Sequence, residues 1–120
     1  MARGRVYVSE IPVPIGQLNT AFECVIRDHT GPGGGEPPIV DVSGAQTLQI
    51  SFQDPAGTVT TETAVFSTDG RDGKIRFVDA AGDKVNARGS WKYWGRVTIS
   101  PTDGPYYSTP LWYPVKPEGS

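Results

Sequence analysis

The chain has 120 residues, which is enough for one domain that buries roughly two-thirds of the surface exposed by its unfolded chain. Its 11 basic and 13 acidic residues give a formal net charge of −2 with no block of like charge, which argues against nucleic acid as a partner. Apolar runs are short, and residues 1–5 lack the apolar core of a signal peptide, so we expect no membrane span and no export by the general secretory route.

Strand-like alternation recurs along the chain between turns built on its 15 glycines and 11 prolines. The predicted strands are residues 5–8, 20–28, 46–53, 58–66, 74–78, 91–100 and 106–115. No window has the i, i+3, i+4, i+7 spacing of an amphipathic helix. The pattern predicts an all-β fold, an Ig-like antiparallel β-sandwich of about seven or eight strands. We expect one domain over residues 1–120 with short N- and C-terminal arms.

Residues 46–53 alternate most strictly, with Leu48, Ile50 and Phe52 on one face. The Asp-Pro-Ala-Gly sequence at 54–57 has the preferences of a type I turn, so this strand should form a hairpin with the next.

Two other segments interrupt the strand pattern. Residues 11–16 contain two prolines that each remove a ladder donor, which predicts an edge or a bridge between sheets. Residues 31–38, rich in glycine and proline, predict a loop without a phosphate-binding motif.

Few side chains carry recognisable chemistry. Cys24 is the only cysteine, which excludes an internal disulfide, and its alternation with Phe22 and Ile26 predicts a buried apolar position. His29 is the only histidine, and no G-x-S-x-G or similar nucleophile motif accompanies it, so we expect an exposed loop residue.

Acidic residues are concentrated in turns, where turn chemistry alone explains them. Asp69, Asp72 and Asp103 offer the oxygen ligands that calcium prefers, but they lack the D-x-D-x-D-G spacing. A glycosidase pair of carboxylates has no support beyond these turn positions. We therefore expect no enzyme, no cofactor and no metal site.

The aromatic residues of strand 91–100 divide between two faces. Trp91 and Tyr93 share one face, and Trp94 lies on the other. Because Trp91 follows the polar crossover at residues 82–83 and Val97 continues its face, we predict that Trp91 lies in the core.

The alternation of the last strand predicts one face with Tyr107, Leu111 and Tyr113 and another with Tyr106 and Trp112. Only one face of a sandwich strand is buried, so an exposed aromatic patch of Trp94, Tyr106 and Trp112 is one interpretation. The alternative is that these rings pack beneath the proline-rich N-terminal segment.

The terminal arms, residues 1–8 and 113–120, are predicted contacts with neighbouring subunits, since extended segments can add a strand to a partner's sheet. The interface candidates are therefore Trp94, Tyr106, Trp112, Arg5, Tyr7 and Tyr113.

Five short motifs occur in an order that resembles small bacteriophage virion proteins with a baseplate-upper-protein-like domain. They are AQTLQI at 45–50 after Gly44, DPAGT at 54–58, KIRF at 74–77, AGD at 81–83 and GSW at 89–91. They resemble that family's GAT-x-L-x-I strand, DPDGT turn, KIRY strand, AGD turn and GTW re-entry. The family's usual leucine after AGD is Lys84 in this chain.

The resemblance implies an Ig-like sandwich fixed to a phage particle, without catalytic residues. We therefore expect a non-enzymatic virion structural protein, an adaptor or decoration module of the tail, baseplate or fibre, with a capsid decoration or head-fibre protein as the alternative. Its partners would be other phage structural proteins, in a homo-oligomer or multi-copy assembly, with neither nucleic acid nor membrane. A carbohydrate-binding module that contacts host glycans through exposed aromatic rings is the alternative of another class. The chain would be made in the host cytoplasm and reside in the virion.

Overall fold

The structure is a computed structural model that describes residues 13–29 and 37–116. Nine β-strands and one short 3₁₀-helix form in these residues. The strands are β1 (Val13–Pro14), β2 (Thr20–Arg27), β3 (Thr47–Gln53), β4 (Val59–Thr63), β5 (Val65–Phe66), β6 (Lys74–Asp79), β7 (Gly89–Thr98), β8 (Tyr106–Ser108) and β9 (Leu111–Lys116); the 3₁₀-helix is Asp83–Val85. No helix in the described ranges is long and apolar enough to cross a bilayer.

The strands lie in two layers. The larger layer has the order β1-β9-β7-β3-β4, with β8 beside β7 beyond the end of β9, and the smaller has the order β2-β6-β5. The layers meet where Ile26 and Arg27 of β2 pair with β8. Within the described residues every strand pair is antiparallel except β1 with β9. The predicted all-β sandwich is confirmed, and its strand order matches the G-F-C-C′ and B-E-D sheets of immunoglobulin-type sandwiches.

Six of the predicted strands lie in the described residues, and two of them each divide in two; with β1 this gives the nine strands described. Segment 58–66 breaks at Ala64, which is buried; β4 pairs with β3 and β5 pairs with β6, so the chain changes layer there. Segment 106–115 breaks at Thr109 and Pro110, between β8 and β9. The proline has no N–H to continue the ladder.

The predicted hairpin turn after β3 is confirmed. Asp54 Oδ1 accepts hydrogen bonds from the backbone N–H groups of Ala56 and Thr58, at 3.0 and 2.9 Å. The N–H of Gly57 donates to the Asp54 carbonyl at 2.9 Å, with φ of 96° at the glycine. Glycine adopts this left-handed conformation without the steric cost of a β-carbon.

The core lies between the two layers and is rich in aromatic rings. Phe22 of β2 contacts Phe52, Tyr93 and Tyr113 with centroid distances of 5.0, 5.2 and 4.9 Å. Trp91 is 3% exposed, as predicted, and stacks on Tyr113. Because the indole N–H of Trp91 donates to a backbone carbonyl at 2.9 Å, its one polar atom is satisfied inside the core.

Cys24 is buried on β2, as predicted, and burial raises the pKa of its thiol to about 12. It faces Gly95 of β7, where a β-carbon would lie 3.3 Å from the sulfur and 2.9 Å from Cδ1 of Ile26. Antibody domains link the corresponding strands B and F with a disulfide. In this protein glycine makes room for the thiol and the isoleucine instead.

The crossover between β6 and β7 closes one end of the core. Its 3₁₀-helix follows Gly82, and Val85 is fully buried. The buried carboxylate of Asp79 accepts the backbone N–H groups of Asp83 and Lys84, at 3.1 and 2.8 Å. Lys84 is also buried, and its ammonium forms a 2.7 Å ion pair with Glu62 of β4.

The segment with two prolines behaves as predicted where it is described. Val13 and Pro14 form the edge strand β1, which pairs in parallel with β9. Residues 11 and 12, the predicted strand 5–8 and most of the predicted loop 31–38 lie outside the described residues.

Candidate interaction face

The outer face of the larger layer carries a cluster of aromatic and basic side chains. Along β7 the inward residues are buried and the intervening residues, Lys92, Trp94 and Arg96, point outward and are half-buried. Pairing in register brings Trp112 of β9 opposite Lys92 and Tyr107 of β8 opposite Arg96. We call these five residues the aromatic–basic face.

Lys92 joins the two tryptophans of this face. Its ammonium lies 5.4 Å from the ring centroid of Trp94 and 5.3 Å from that of Trp112. Both distances are within the range of cation–π attraction. Within the described part of the chain no carboxylate forms an ion pair with Lys92, so the two rings are its charge partners.

An open groove of about 500 Å³ lies beside Trp94. Its lining includes His29, Lys92, Trp94, Tyr107, Thr109 and Pro110. The ring nitrogen Nε2 of His29 is 3.2 Å from the backbone carbonyl of Tyr107, which ties the end of β2 to β8. His29 is exposed, as the sequence predicts.

The predicted patch is correct for two of its three rings. Trp94 and Trp112 lie on the same outer face, and Trp112 is 38% exposed. The alternative position beneath the N-terminal segment is not seen in the described residues, because Pro14 pairs at the edge with Lys116.

The prediction for Tyr106 is wrong. Tyr106 pairs with the buried Val97, so its ring turns inward and packs against the core, and its hydroxyl donates to Asp103. Tyr107, predicted on the core face, is 43% exposed and belongs to the outer face. The break at residues 109–110 shifts the alternation by one residue. An assignment that alternates without interruption from 106 to 115 therefore places Tyr106 and Tyr107 on the wrong faces.

Tyr113 is also not an interface residue. It is 2% exposed, and its hydroxyl donates to the backbone carbonyl of Lys84 at 2.6 Å. Burial raises the pKa of this phenol. Its role is to join β9 to the crossover within the core. Arg5 and Tyr7, the other candidates from the arms, lie outside the described residues.

The polar side chains singled out in the sequence are used for structure. Asp69 accepts the backbone N–H of Arg71 at 3.0 Å, and Asp72 accepts the Thr68 hydroxyl at 2.8 Å and the Lys74 N–H at 3.1 Å. No group of three His, Cys, Asp or Glu residues in the described ranges is arranged to hold a metal ion. The buried Cys24 thiol is protonated at neutral pH and is no nucleophile.

Sequence reasoning missed Lys92 and Tyr107 as members of the face. Lys92 alternates with Trp94 along one strand, which is a visible signal, but its contact with Trp112 depends on the β7–β9 register.

No protein-family model, curated protein or solved structure matches this chain.

Proposed function

We propose that this protein is a non-enzymatic structural module of a bacteriophage particle, an Ig-like adaptor or decoration domain that docks on its neighbours through the aromatic–basic face. The tail, baseplate or fibre is the proposed position, and a capsid decoration or head-fibre protein is the alternative. Its partners would be other structural proteins of the particle, in a multi-copy assembly.

The observation that carries this proposal is the exposure of large aromatic rings at the centre of a sheet. Trp112 and Tyr107 are 38% and 43% exposed, and the half-buried Trp94 lies on β7, which pairs with both of their strands. Tryptophan, tyrosine and arginine are the residues most enriched at the hot spots of protein–protein interfaces. Lys92 orders the two indoles before binding, which lowers the entropy lost on docking.

The motif resemblance supports the phage setting. Its segments at 45–50, 74–77 and 89–91 fall in or just before β3, β6 and β7, and that at 81–83 leads into the crossover. These segments therefore belong to the framework that carries the aromatic–basic face. The face itself lies outside the motifs, as expected for a binding surface grafted on a common fold.

Mass spectrometry of purified particles tests the phage setting. Particles of the source phage, isolated on a density gradient, are expected to contain the chain at a constant ratio to the other structural proteins. Its absence from intact, infectious particles would contradict the proposal.

A complementation assay tests the docking face. In a phage lacking the gene, the Trp94→Ala/Trp112→Ala variant should fold but fail to join particles. The matched control is Val65→Ala/Val78→Ala, which trims exposed apolar side chains, 55% and 42% exposed, from the smaller layer. This control should be incorporated normally; the reverse pattern would move docking to the smaller layer.

Carbohydrate binding on the same face is the second candidate function. The observation that favours it is the groove beside Trp94, which has Tyr107 and Pro110 in its lining and one side open to solvent. Aromatic rings of this kind present apolar faces beside polar groups, as sugar rings require. Binding to a glycan array tests this function, and a protein that binds no glycan at millimolar concentration would not have it.

A further inference from the structure

The charge of the aromatic–basic face differs from that of the whole chain. The chain carries a formal net charge of −2. The side chains that alternation directs outward from β3, β4, β7, β8 and β9 nevertheless include Lys92, Arg96 and Lys116 and no aspartate or glutamate. The single acidic residue in these strands, Glu62, pairs with the core residue Ile50 across β3 and faces inward.

The smaller layer carries both signs of charge on its outer face. Glu23 of β2 lies directly opposite Arg76 of β6, on the outer face of that layer. Opposite charges at directly paired positions compensate each other across a ladder. Lys74 of β6 is a further outward cation of that layer and lies opposite Val25. The larger layer differs in that its cation Lys92 lies over two aromatic rings.

Lys92 is placed to meet an anion in the groove. Its ammonium is fixed over the faces of two indoles, and it also lines the groove beside Trp94. A lysine ammonium has three donors, and ring faces do not replace a carboxylate as hydrogen-bond acceptors. Because no carboxylate of the described residues forms an ion pair with Lys92, an anionic group that enters the groove would find this charge already positioned.

The other groups of the groove are uncharged or weakly basic. Trp94 and Tyr107 supply rings, Thr109 a hydroxyl, and His29 an imidazole on an exposed loop. Outward on β3, next to β7, are the half-buried Gln49 and Gln53, whose amides both donate and accept hydrogen bonds. This combination suits a ligand with apolar C–H faces, many hydroxyls and a low density of negative charge.

We infer that the aromatic–basic face binds a carboxylated polysaccharide, one whose pyranose rings carry uronic-acid-type or sialic-acid-type carboxylates. The inference rests on the second candidate function, in which a glycan and not a neighbouring subunit occupies this face, and it specifies the ligand class of that function. A sugar ring stacks on Trp94 in the groove, its carboxylate accepts from the Lys92 ammonium, and neighbouring hydroxyls bond to Thr109 and His29.

The spacing of the cations favours this ligand over a nucleic acid. Lys92 and Arg96 are four residues apart on β7, which is about 13 Å along a strand. A nucleic acid strand carries a charge on every nucleotide and is bound by a continuous basic track with stacked bases. The neutral amides of Gln49 and Gln53 on β3, which lie opposite Arg96 and Lys92, are suited to sugar hydroxyls instead.

The test compares two polymers that differ in whether their carboxyl groups are free or methyl-esterified. Polygalacturonate and its fully methyl-esterified form share one backbone, and isothermal titration calorimetry of the intact protein measures binding to each. We expect the carboxylated form to bind at least tenfold more tightly at low salt, with the difference reduced at high salt. The Lys92→Met variant should lose about tenfold in affinity for the carboxylated form, Lys92→Arg should retain most of it, and Lys74→Met, on the smaller layer, should bind as the parent does.

Each of the other outcomes would contradict the inference or assign the face to another ligand. Equal binding of both polymers would retain carbohydrate binding and overturn the inference about charge. Failure of both polymers, and of polysialic acid as a second carboxylated probe, would overturn the inference, and the candidate function would fall with it only if the glycan array also showed no binding. Tighter binding of oligo(dT) than of either polysaccharide would assign the face to nucleic acid. Circular dichroism of each variant confirms that a loss of affinity is not a loss of fold.

Discussion

Strand β7 carries a tryptophan on each face, and the two are used in opposite ways. Trp91 points inward, where it stacks on Tyr113 and donates its N–H to a backbone carbonyl. Trp94 points outward, where its ring contacts the Lys92 ammonium and lines an open groove. The inward ring has all its partners within the domain, and the outward ring keeps surface available for another molecule.

Lys84 and Lys92 show the same contrast between a buried and an outward position. Lys84 is buried in the crossover, with its ammonium 5.6 Å from the ring centroid of Phe52 and paired with Glu62. Lys92 also lies over aromatic rings, but without a carboxylate among the described residues. A buried charge needs a partner of opposite sign to offset desolvation, and a half-exposed charge does not. The charge of Lys84 is therefore paired within the protein, whereas the charge of Lys92 stays available for a binding partner.

Replacing the two tryptophans one at a time should give the largest difference in the free energy of unfolding. We expect Trp91→Ala to lower the free energy of unfolding by about 3–5 kcal/mol, because it opens a cavity in the core. Trp94→Ala should cost less than about 1 kcal/mol, because its ring is half-exposed. Denaturant unfolding curves of both variants measure the difference. Equal losses would show that the outer face is part of the stabilising core.

Removing the partner of the buried lysine should have the next largest effect. Glu62→Gln leaves the Lys84 ammonium, whose side chain is 8% exposed, without its counter-ion. Since the Glu62 side chain is itself 36% exposed and water can replace part of the interaction, we expect a loss of about 1–3 kcal/mol. Lys84→Met, which removes the charge and keeps the apolar stem, should cost less. A greater loss for Lys84→Met, measured by the same unfolding curves, would show that the pair itself is strongly stabilising.

Alkaline pH should weaken the packing of the inward face progressively. Burial raises the pKa values of Cys24, Tyr93 and Tyr113, from ordinary values of 9.0 for the thiol and 10.0 for the phenols. These groups stay neutral in the folded protein while the unfolded chain ionises, so stability is retained below pH 9 and falls as pH rises above it. Each group contributes a slope of up to about 1.4 kcal/mol per pH unit.

Urea unfolding at pH 7, 9, 10 and 11 measures this slope. The Cys24→Ala variant should start from a lower stability and show a shallower decline, since it lacks the thiol. A free energy of unfolding that stays constant up to pH 11 would mean that these groups ionise as easily in the folded state as in the unfolded state.

The smallest expected loss of stability comes from crowding the close contact at Gly95. A β-carbon there would lie 2.9 and 3.2 Å from the Cδ1 atoms of Ile26 and Ile75. Because these atoms are the ends of side chains that can shift, we expect Gly95→Ala to cost about 1 kcal/mol. Gly44→Ala is the matched control, since a β-carbon at Gly44 meets no atom within 4 Å. Thermal melts in which the two variants behave alike would contradict the packing described at Cys24.

Much of the framework follows from local patterns in the sequence. The alternation of β3, the turn at Asp54 and the inward position of Trp91 depend on neighbouring residues alone, and the structure confirms all three. The change of layer at Ala64 has no local signal, because alanine is common in strands and loops alike. It depends on which strands are available for pairing on each side.

The candidate site was less predictable because it depends on register between strands. The break at Pro110 exchanges the faces of Tyr106 and Tyr107, and strict alternation cannot show such a shift. The position of Lys92 between Trp94 and Trp112 combines neighbours along one strand with a partner on another. Tyr113 was assigned to an arm from its place near the end of the chain, but β9 carries it into the core.

The central proposal is that the aromatic–basic face is the docking surface of a particle subunit. A reconstruction of a particle that contains the chain, at a resolution that shows side chains, tests it most directly. We expect Trp94 and Trp112 to be buried against a neighbouring subunit, with the outer face of the smaller layer exposed to solvent. A particle in which those two rings face solvent and the smaller layer makes the contacts, or in which the chain is absent, would contradict the proposal.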